Sequence, residues 1–328
     1  MNIYENDRYK KLFIIPVIML IILLFFATRI TYGMDFRGGT RITAPLEQDL
    51  DVAELEIEIS ERFNLIDVDI RKTEGLERVV IVSYAGNEDI MQMEEDFERG
   101  RYNEVIEKGR IMTEIDEEDL NEEEMADEYI SASREQYRGE LISYLSEVTG
   151  TSEGNFSVDS IGAAMGAQFL TQSRNAIIAA ILFISILIFY FFRKILVSLA
   201  VFQAPIYDMV FGLGAMGLFQ IPLTLGTIAA LLMVIGYSID SDIMLTIKVL
   251  NRKEGTPEER AFGALKTGLT MTVTTVSALI ALLVVSYLTQ MHLLVSISLI
   301  LVLGLIGDSL TTWFLNAPIM IWISKRGK

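Results

Sequence analysis

Six largely apolar stretches run through the chain, and the basic residues between them alternate between abundant and absent. The stretches are residues 12–27, 176–192, 195–219, 223–247, 269–288 and 293–323. A hydrocarbon core of about 30 Å needs roughly 20 such residues in helical form. Arg8, Lys10 and Lys11 precede the first stretch, and Arg193 and Lys194 separate the second from the third. Lys248, Arg252, Lys253, Arg260 and Lys266 lie between the fourth and fifth, and Lys325, Arg326 and Lys328 close the chain. Residues 220–222 and 289–292 carry no Lys or Arg. Cytoplasmic loops collect the positive charge. Six spans with both termini in the cytoplasm therefore satisfy every loop, and no odd number does. The first run is longer than a signal-peptide core and no small-residue cleavage site follows, so it reads as a retained span.

Composition sharpens the division. Hydrophobic residues make up 51% of the chain, yet its formal charge is −17. Both properties fit one molecule only if acidic, water-facing parts are separate from apolar, membrane-facing parts. About 35 of the 44 acids fall within residues 33–175, with about 13 of the 27 bases. The expected organisation is a cytoplasmic N-terminus over 1–11, a first helix over 12–32, an acidic external domain over 33–175, helices two to six over 176–323, and a cytoplasmic C-terminus over 324–328. No cysteine is present, which excludes disulfides and thiolate chemistry. One histidine, His292, cannot build a His-based metal site.

Within the acidic domain the pattern reads strand 39–44, helix 51–63, strand 66–71, strand 78–83, a long acidic helical stretch 88–148, and strand 155–161. Val52, Leu55, Ile59 and Phe63 recur at helical spacing, with Glu54, Glu58 and Glu61 off that face. Gly75 marks a hairpin between two strands. The order βαββαβ predicts a ferredoxin-like α+β unit. The acidic stretch is too long for that unit's second helix, so residues 114–124 are expected as a solvated, protruding helix pair or as disordered chain.

Four acids interrupt the spans after this domain: Asp208, Asp240, Asp242 and Asp308. Asp240 lies roughly 12 Å of helix from Lys248, well inside the hydrocarbon, where an Asp costs roughly 2.5–3.5 kcal/mol. No Lys or Arg occurs between Lys194 and Lys248 or between Lys266 and Lys325. These acids must therefore be protonated, hydrated, sharing a cation, or paired with another subunit. Asp240 is the foremost candidate for a functional acid by its depth, with Asp308 and Asp208 as polar neighbours. Asp242, about 200° around the helix, is expected to matter less. Thr267, Thr270, Thr272, Thr274, Thr275 and Ser277 form a hydroxyl stripe that either glues helices or lines an ion path. Gly212, Gly214 and Gly217 suit close helix packing. There is no phosphate-binding glycine loop, catalytic triad or basic stripe for nucleic acid, so neither an enzyme nor a cofactor is expected.

Two motifs carry a resemblance. DFRGG (Asp35, Phe36, Arg37, Gly38, Gly39) follows the first span, and IGYSIDSDI, with Gly236, Tyr237 and Ser238, lies in the fourth. Together with the Gly-containing connector IGAAMGAQF at 161–169, they resemble the SecD/SecF protein-export family of the resistance-nodulation-division group. The Asp-Ser-Asp form at 240–242 is similar to archaeal members. Bacterial SecF has Asn-Asp there and an Arg in a later span that this chain lacks. The resemblance implies six transmembrane helices with one extracytoplasmic α+β domain between the first and second. It also implies an auxiliary subunit acting with a SecD-like subunit and the Sec channel complex on translocating preproteins in the lipid bilayer. An uncoupled scaffold, or half of a small-molecule or lipid transporter, are the alternatives.

Overall fold

The computed structural model describes residues 2–5, 9, 11–48, 50–74, 78–115, 120–252, 254–289 and 291–326. The chain divides into two units, Met1–Phe36 with Ala167–Lys328, and Arg37–Gly166. The hairpin expected at Gly75 and the centre of the acidic protrusion, residues 116–119, lie outside the described residues.

The first unit is helical. Helix α1 is Ile14–Ala27, with Pro16 in its first turn, where a missing amide hydrogen costs least. It has 14 residues, fewer than the five later apolar helices. After the short α2, Met34–Arg37, the unit resumes in α7, Ala163–Phe192, which runs unbroken from the Gly-containing connector into the second apolar stretch. There follow α8 (Ile195–Phe219), α9 (Leu225–Leu250), α10 (Pro257–Leu288) and α11 (His292–Thr311). A π-helical turn, Thr312–Asn316, joins α11 to α12, Ala317–Arg326. Thr224 caps α9 and Thr256 caps α10, each in a reciprocal capping box. Among the described residues, five helical segments are long and apolar enough to cross a membrane.

Glycine sets how closely these helices approach. A Cβ on Gly217 would overlap the carbonyl oxygen of Phe26, and one on Gly214 would lie 2.5 Å from the carbonyl oxygen of Leu23. Helix α8 thus carries α1 backbone-to-backbone on its glycine face. Gly212 admits Leu231 of α9, Gly304 admits Val234, and Gly307 admits Phe211. Helices α7 and α10 leave most of their apolar length exposed, as a chain facing lipid or another subunit would.

The second unit is built on a four-stranded antiparallel sheet. Its strands are β1 (Gly39–Pro45), β3 (Asp69–Glu74), β4 (Arg78–Tyr84) and β6 (Ser157–Ile161), in the order β3-β4-β1-β6. A small ladder pairs β2 (Leu65–Ile66) with β5 (Gly86–Asn87). The expected strand 66–71 is split, because Asp67 takes a positive φ of 52° and turns the chain between β2 and β3. Helix α3 (Val52–Arg62) begins where Asp51 accepts hydrogen bonds from the Ala53 and Glu54 amides. The long acidic stretch is three helices: α4 (Glu88–Glu98), α5 (Tyr102–Met112) and the 28-residue α6 (Glu122–Thr149). The two halves of α6 serve different cores. Leu141, Tyr144 and Leu145 join Leu55, Ile59 and Phe63 of the α3 segment over the sheet residues Ile42, Val80 and Val82. Ala126, Tyr129 and Ile130 pack with Ile90, Met93, Val105 and Ile106 of α4 and α5. The acidic run therefore folds because it carries a second apolar cluster.

Asp96 ties α4 to α5. Its carboxylate, 5% exposed, is held by Arg101 and by Lys108 at 2.9 Å. Arg101 and then Lys108 hold the Asp96 carboxyl below its ordinary range. A carboxylate depressed in the folded state adds stability above its unfolded pKa of about 4, and that stability is lost as pH falls through the folded value. In the full-length protein, protease cleavage within α4 and α5 should therefore rise below about pH 4. Asp96→Asn should already raise it at pH 7; equal resistance of the variant there would reject this role.

Candidate functional site

Three intramembrane acids are buried, on three helices. Asp208 of α8, Asp242 of α9 and Asp308 of α11 are each at most 1% exposed. Their partners come from the π-helical turn and from Thr311 just before it; widening the turn by one residue re-aims the side chains that follow. Asn316 Nδ2 donates to Asp242 Oδ1 at 2.8 Å, and Gln203 Nε2 of α8 donates to Asn316 Oδ1 at 2.6 Å. Thr311 Oγ1 lies 3.4 Å from Asp208 Oδ1. Thr312 Oγ1 lies 3.2 Å from Asp242 Oδ1 and 3.1 Å from Asp308 Oδ1.

The Thr312 contacts constrain the chemistry. A hydroxyl has one hydrogen to donate. One hydrogen serves both contacts only as a shared, three-centre bond, and a proton on one of the acids would give each contact its own. Among the described residues, Asp208 Oδ2, Asp242 Oδ2 and the hydroxyl of Ser309 are buried without a hydrogen-bond partner. Ser238, of the IGYSIDSDI motif, is fully buried. The arrangement is a connected, incompletely satisfied polar network among four helical segments. It can take up or release a proton, and buried polar atoms left over are costly unless they do so or bind water or a cation.

Asp240 is placed differently from the expectation. It lies exposed on the face of α9 that also shows Gly236 and Tyr237, whereas Asp242 points into the bundle. The sequence argument had reversed the two orientations. The turn of about 200° between them was right, but the absolute rotation of the helix depends on its neighbours. The hydroxyl stripe on α10 does not reach the acids. Thr267, Thr270, Thr274 and Ser277 are exposed and bond back to carbonyls of their own helix. Thr311, Thr312 and Asn316 are the site residues that sequence reasoning missed. Asn316 carries the one usable signal, an amide in an otherwise apolar run with no loop nearby. The Gly212, Gly214 and Gly217 face is filled within the chain by Leu231 and α1.

The site has an edge at each end of the helices. Tyr4, completely buried, donates from its hydroxyl to the Trp313 carbonyl in the π turn at 2.9 Å. Trp313 in turn packs on the bare backbone of Gly268. At the opposite end, Asp35 Oδ2 accepts from the Leu225 amide at 2.8 Å and so caps the start of α9. The backbone around it is pinned as well, by Gly33 N to Leu223 O at 2.7 Å and Leu223 N to Thr31 O at 2.8 Å. Arg37 ends α2, while Phe36 beside it is buried. Gly38 and Gly39 follow with φ of 78° and 125°, the left-handed region open to glycine. A side chain on Gly39 would also strike the Tyr84 carbonyl.

A bundle of apolar helices with carboxylates buried at its centre, and a small antiparallel sheet unit inserted after its first helix, defines a polytopic membrane protein. Residues 141–326 match the family described as "Protein export membrane protein SecD/SecF, C-terminal", and residues 23–49 match the "SecD/SecF GG Motif". The chain is 31% identical over 318 residues to the protein-export membrane protein SecF of Methanothermobacter thermautotrophicus, covering 96% of this chain and 92% of that one. It is 32% identical to the SecF of Methanocaldococcus jannaschii, covering 95% and 94%. The chain belongs to the SecD/SecF protein-export family. Its fold is also similar to the crystal structure of SecDF, a translocon-associated membrane protein from Thermus thermophilus, with a TM-score of 0.67 and 16% identity. All of this chain is covered in that comparison, and it spans 40% of the length of that structure's chain.

Proposed function

We propose that this chain is an auxiliary membrane subunit of the Sec protein-export machinery, acting with a SecD-like subunit, and that Asp208, Asp242 and Asp308 couple it to a proton or cation. The Thr312 hydroxyl carries the coupling reading, since it lies between two buried acids, Asp242 and Asp308, that a single proton would link. Similarity to SecF proteins over nearly the whole chain supports the export role. The alternative of an uncoupled scaffold predicts that these acids tolerate isosteric neutral residues.

In this reading α1 is the first of six spans despite its 14-residue helix, because its flanking residues and close packing on α8 bring it to the depth of the others. The loop charges put both termini inside and the acidic unit outside. The strand order β3-β4-β1-β6, with α3 and the second half of α6 as its helices, supports a ferredoxin-like unit. Labelling a cysteine placed at Gln220 from outside, and one at Gly255 only from inside, is the expected topology. External labelling at Gly255 would reject it.

The exposed Asp240 supports the partner. A carboxylate at this depth does not face acyl chains without a compensating group, and Gly236 beside it leaves open space above its backbone. The SecD-like subunit covers this face of α9. Mild-detergent affinity purification from native membranes is the test: a second six-span chain should co-purify, and Asp240→Leu should disrupt that more than Asp242→Asn. Recovery of the chain alone as an active species would overturn the heteromeric reading.

A further inference from the structure

A cleft of about 570 Å³ opens on the sheet-containing unit, at the seam between its two apolar cores. Three aromatic rings form its wall. Phe63 meets Tyr137 edge-on at 5.8 Å between centroids and Tyr144 at 5.5 Å. The Tyr137 hydroxyl donates to the Phe63 carbonyl, which fixes the rings against the end of α3. Three acids line the same cleft: Asp89 at the start of α4, and Glu140 and Glu147 on α6. Tyr137, Glu140, Tyr144 and Glu147 follow at spacings of three and four, so aromatic and acidic groups share one helical face. Among the described residues, none of the three carboxylates is ion-paired.

One cation already tests this wall. The Arg62 guanidinium lies 4.5 Å from the Tyr144 ring centroid and 5.6 Å from that of Phe63. Its side chain is exposed and has no ion pair among the described residues. The molecule thus holds its own guanidinium on an aromatic surface, beside carboxylates it does not neutralise. Aromatic faces flanked by acids are a general receptor for ammonium and guanidinium groups. The rings also offer apolar contact to the side chains on either side of a bound cation, and the cleft is open rather than closed around a small ion.

We propose that this cleft is a binding site for basic side chains of an extended polypeptide, with Arg62 as an intramolecular occupant that an incoming Arg or Lys displaces. The assignment of the ligand to unfolded chains in transit rests on the export reading; the cation-accepting chemistry stands without it. Carboxylates at the rim draw the cation in, and the Tyr144 and Phe63 faces seat it once Arg62 swings aside into water.

The test uses the full-length protein in nanodiscs and fluorescence anisotropy of a labelled, unstructured twelve-residue peptide of alternating Leu, Ser and Arg. The same peptide with Glu for Arg is the control. Wild type should prefer the Arg peptide by about tenfold or more, and Asp89→Asn, Glu140→Gln and Glu147→Gln combined should remove about that factor. Arg62→Ala should tighten binding several-fold by vacating the ring face. Tyr144→Leu, which keeps the apolar bulk but removes the ring, should weaken it. A cleft that merely stores Arg62 as packing gives unchanged or weaker binding in Arg62→Ala, which overturns the proposal, as does equal binding of the two peptides. Competition by free arginine or spermidine at the same concentration as peptide overturns the peptide assignment in favour of a small cation. If the peptides do not bind while a second six-span chain still co-purifies, the cleft is rejected and the export reading stands.

Discussion

Asp242→Asn is expected to stop most export that depends on this chain, while leaving its membrane level and its partner intact. The substitution keeps the shape of the side chain and removes its titration. Asn316 Nδ2 and Thr312 Oγ1 both contact Asp242 Oδ1, so an amide oxygen can take the same position. What disappears is the exchangeable proton or charge that the shared Thr312 hydroxyl reads between Asp242 and Asp308. A hydrogen bond involving a charged group is worth roughly 1.5–3 kcal/mol, which corresponds to about a tenfold or larger drop in rate if it is made only in one state of the cycle. Asp308→Asn should behave similarly, because it is the other acid on Thr312. Asp240→Asn should have a smaller effect on rate and act through assembly. The measurement is the initial rate of preprotein export at matched membrane levels. Wild-type rates for both Asp242→Asn and Asp308→Asn would leave the scaffold reading in place of coupling.

The second large effect is structural. Gly217→Val should prevent α1 from seating on α8 and remove most folded protein from the membrane. The obstacle is the carbonyl oxygen of Phe26, part of a helical backbone that cannot swing away as a side chain can. Ordinary overpacking costs about 1–3 kcal/mol. A clash with backbone in a close-packed helix pair lies at or above the upper end of that range. Gly214→Val meets Leu23 in the same way and should be nearly as damaging. Gly263→Val, on α10 with open space around the new atoms, is the control and should accumulate normally. Size-exclusion yield and thermal stability in detergent compare the three. Normal yield and stability for Gly217→Val would show that α1 does not depend on this contact.

These two sites differ in how far they could be read in advance. The glycines at 212, 214 and 217 stand out in the sequence as a packing surface, and they pack, Gly212 on Leu231 of α9 and the other two on the chain's own α1. The acids at 208, 242 and 308 also stand out, because carboxylates are rare in apolar runs. Their companions were harder to see. Thr311 and Thr312 look like any hydroxyls in a membrane helix. Thr311 reaches Asp208 from the end of α11, and Thr312 and Asn316 reach Asp242 from the π turn that follows. In the sheet unit, the spacing of Leu55, Ile59 and Phe63 announced the buried face of α3. The division of the acidic stretch into three helices was less visible, since a mean composition rich in Glu conceals the few apolar residues that make a second core.

By itself the sequence determined that the chain crosses the membrane several times, from apolar run length, because that acts through solvent and needs no knowledge of contacts. It also determined the family motifs and the presence of acids that lipid would not tolerate. The rotation of α9 was left to the tertiary structure. A soluble helix shows its inner face by contrast with polar residues, but a membrane helix is apolar on both sides, and lipid is no more polar than a neighbouring helix. Asp240 and Asp242 are therefore equivalent along the sequence. Only packing of Val234, Ile235 and Leu245 against the other helices turns Asp242 inward and leaves Asp240 at the surface.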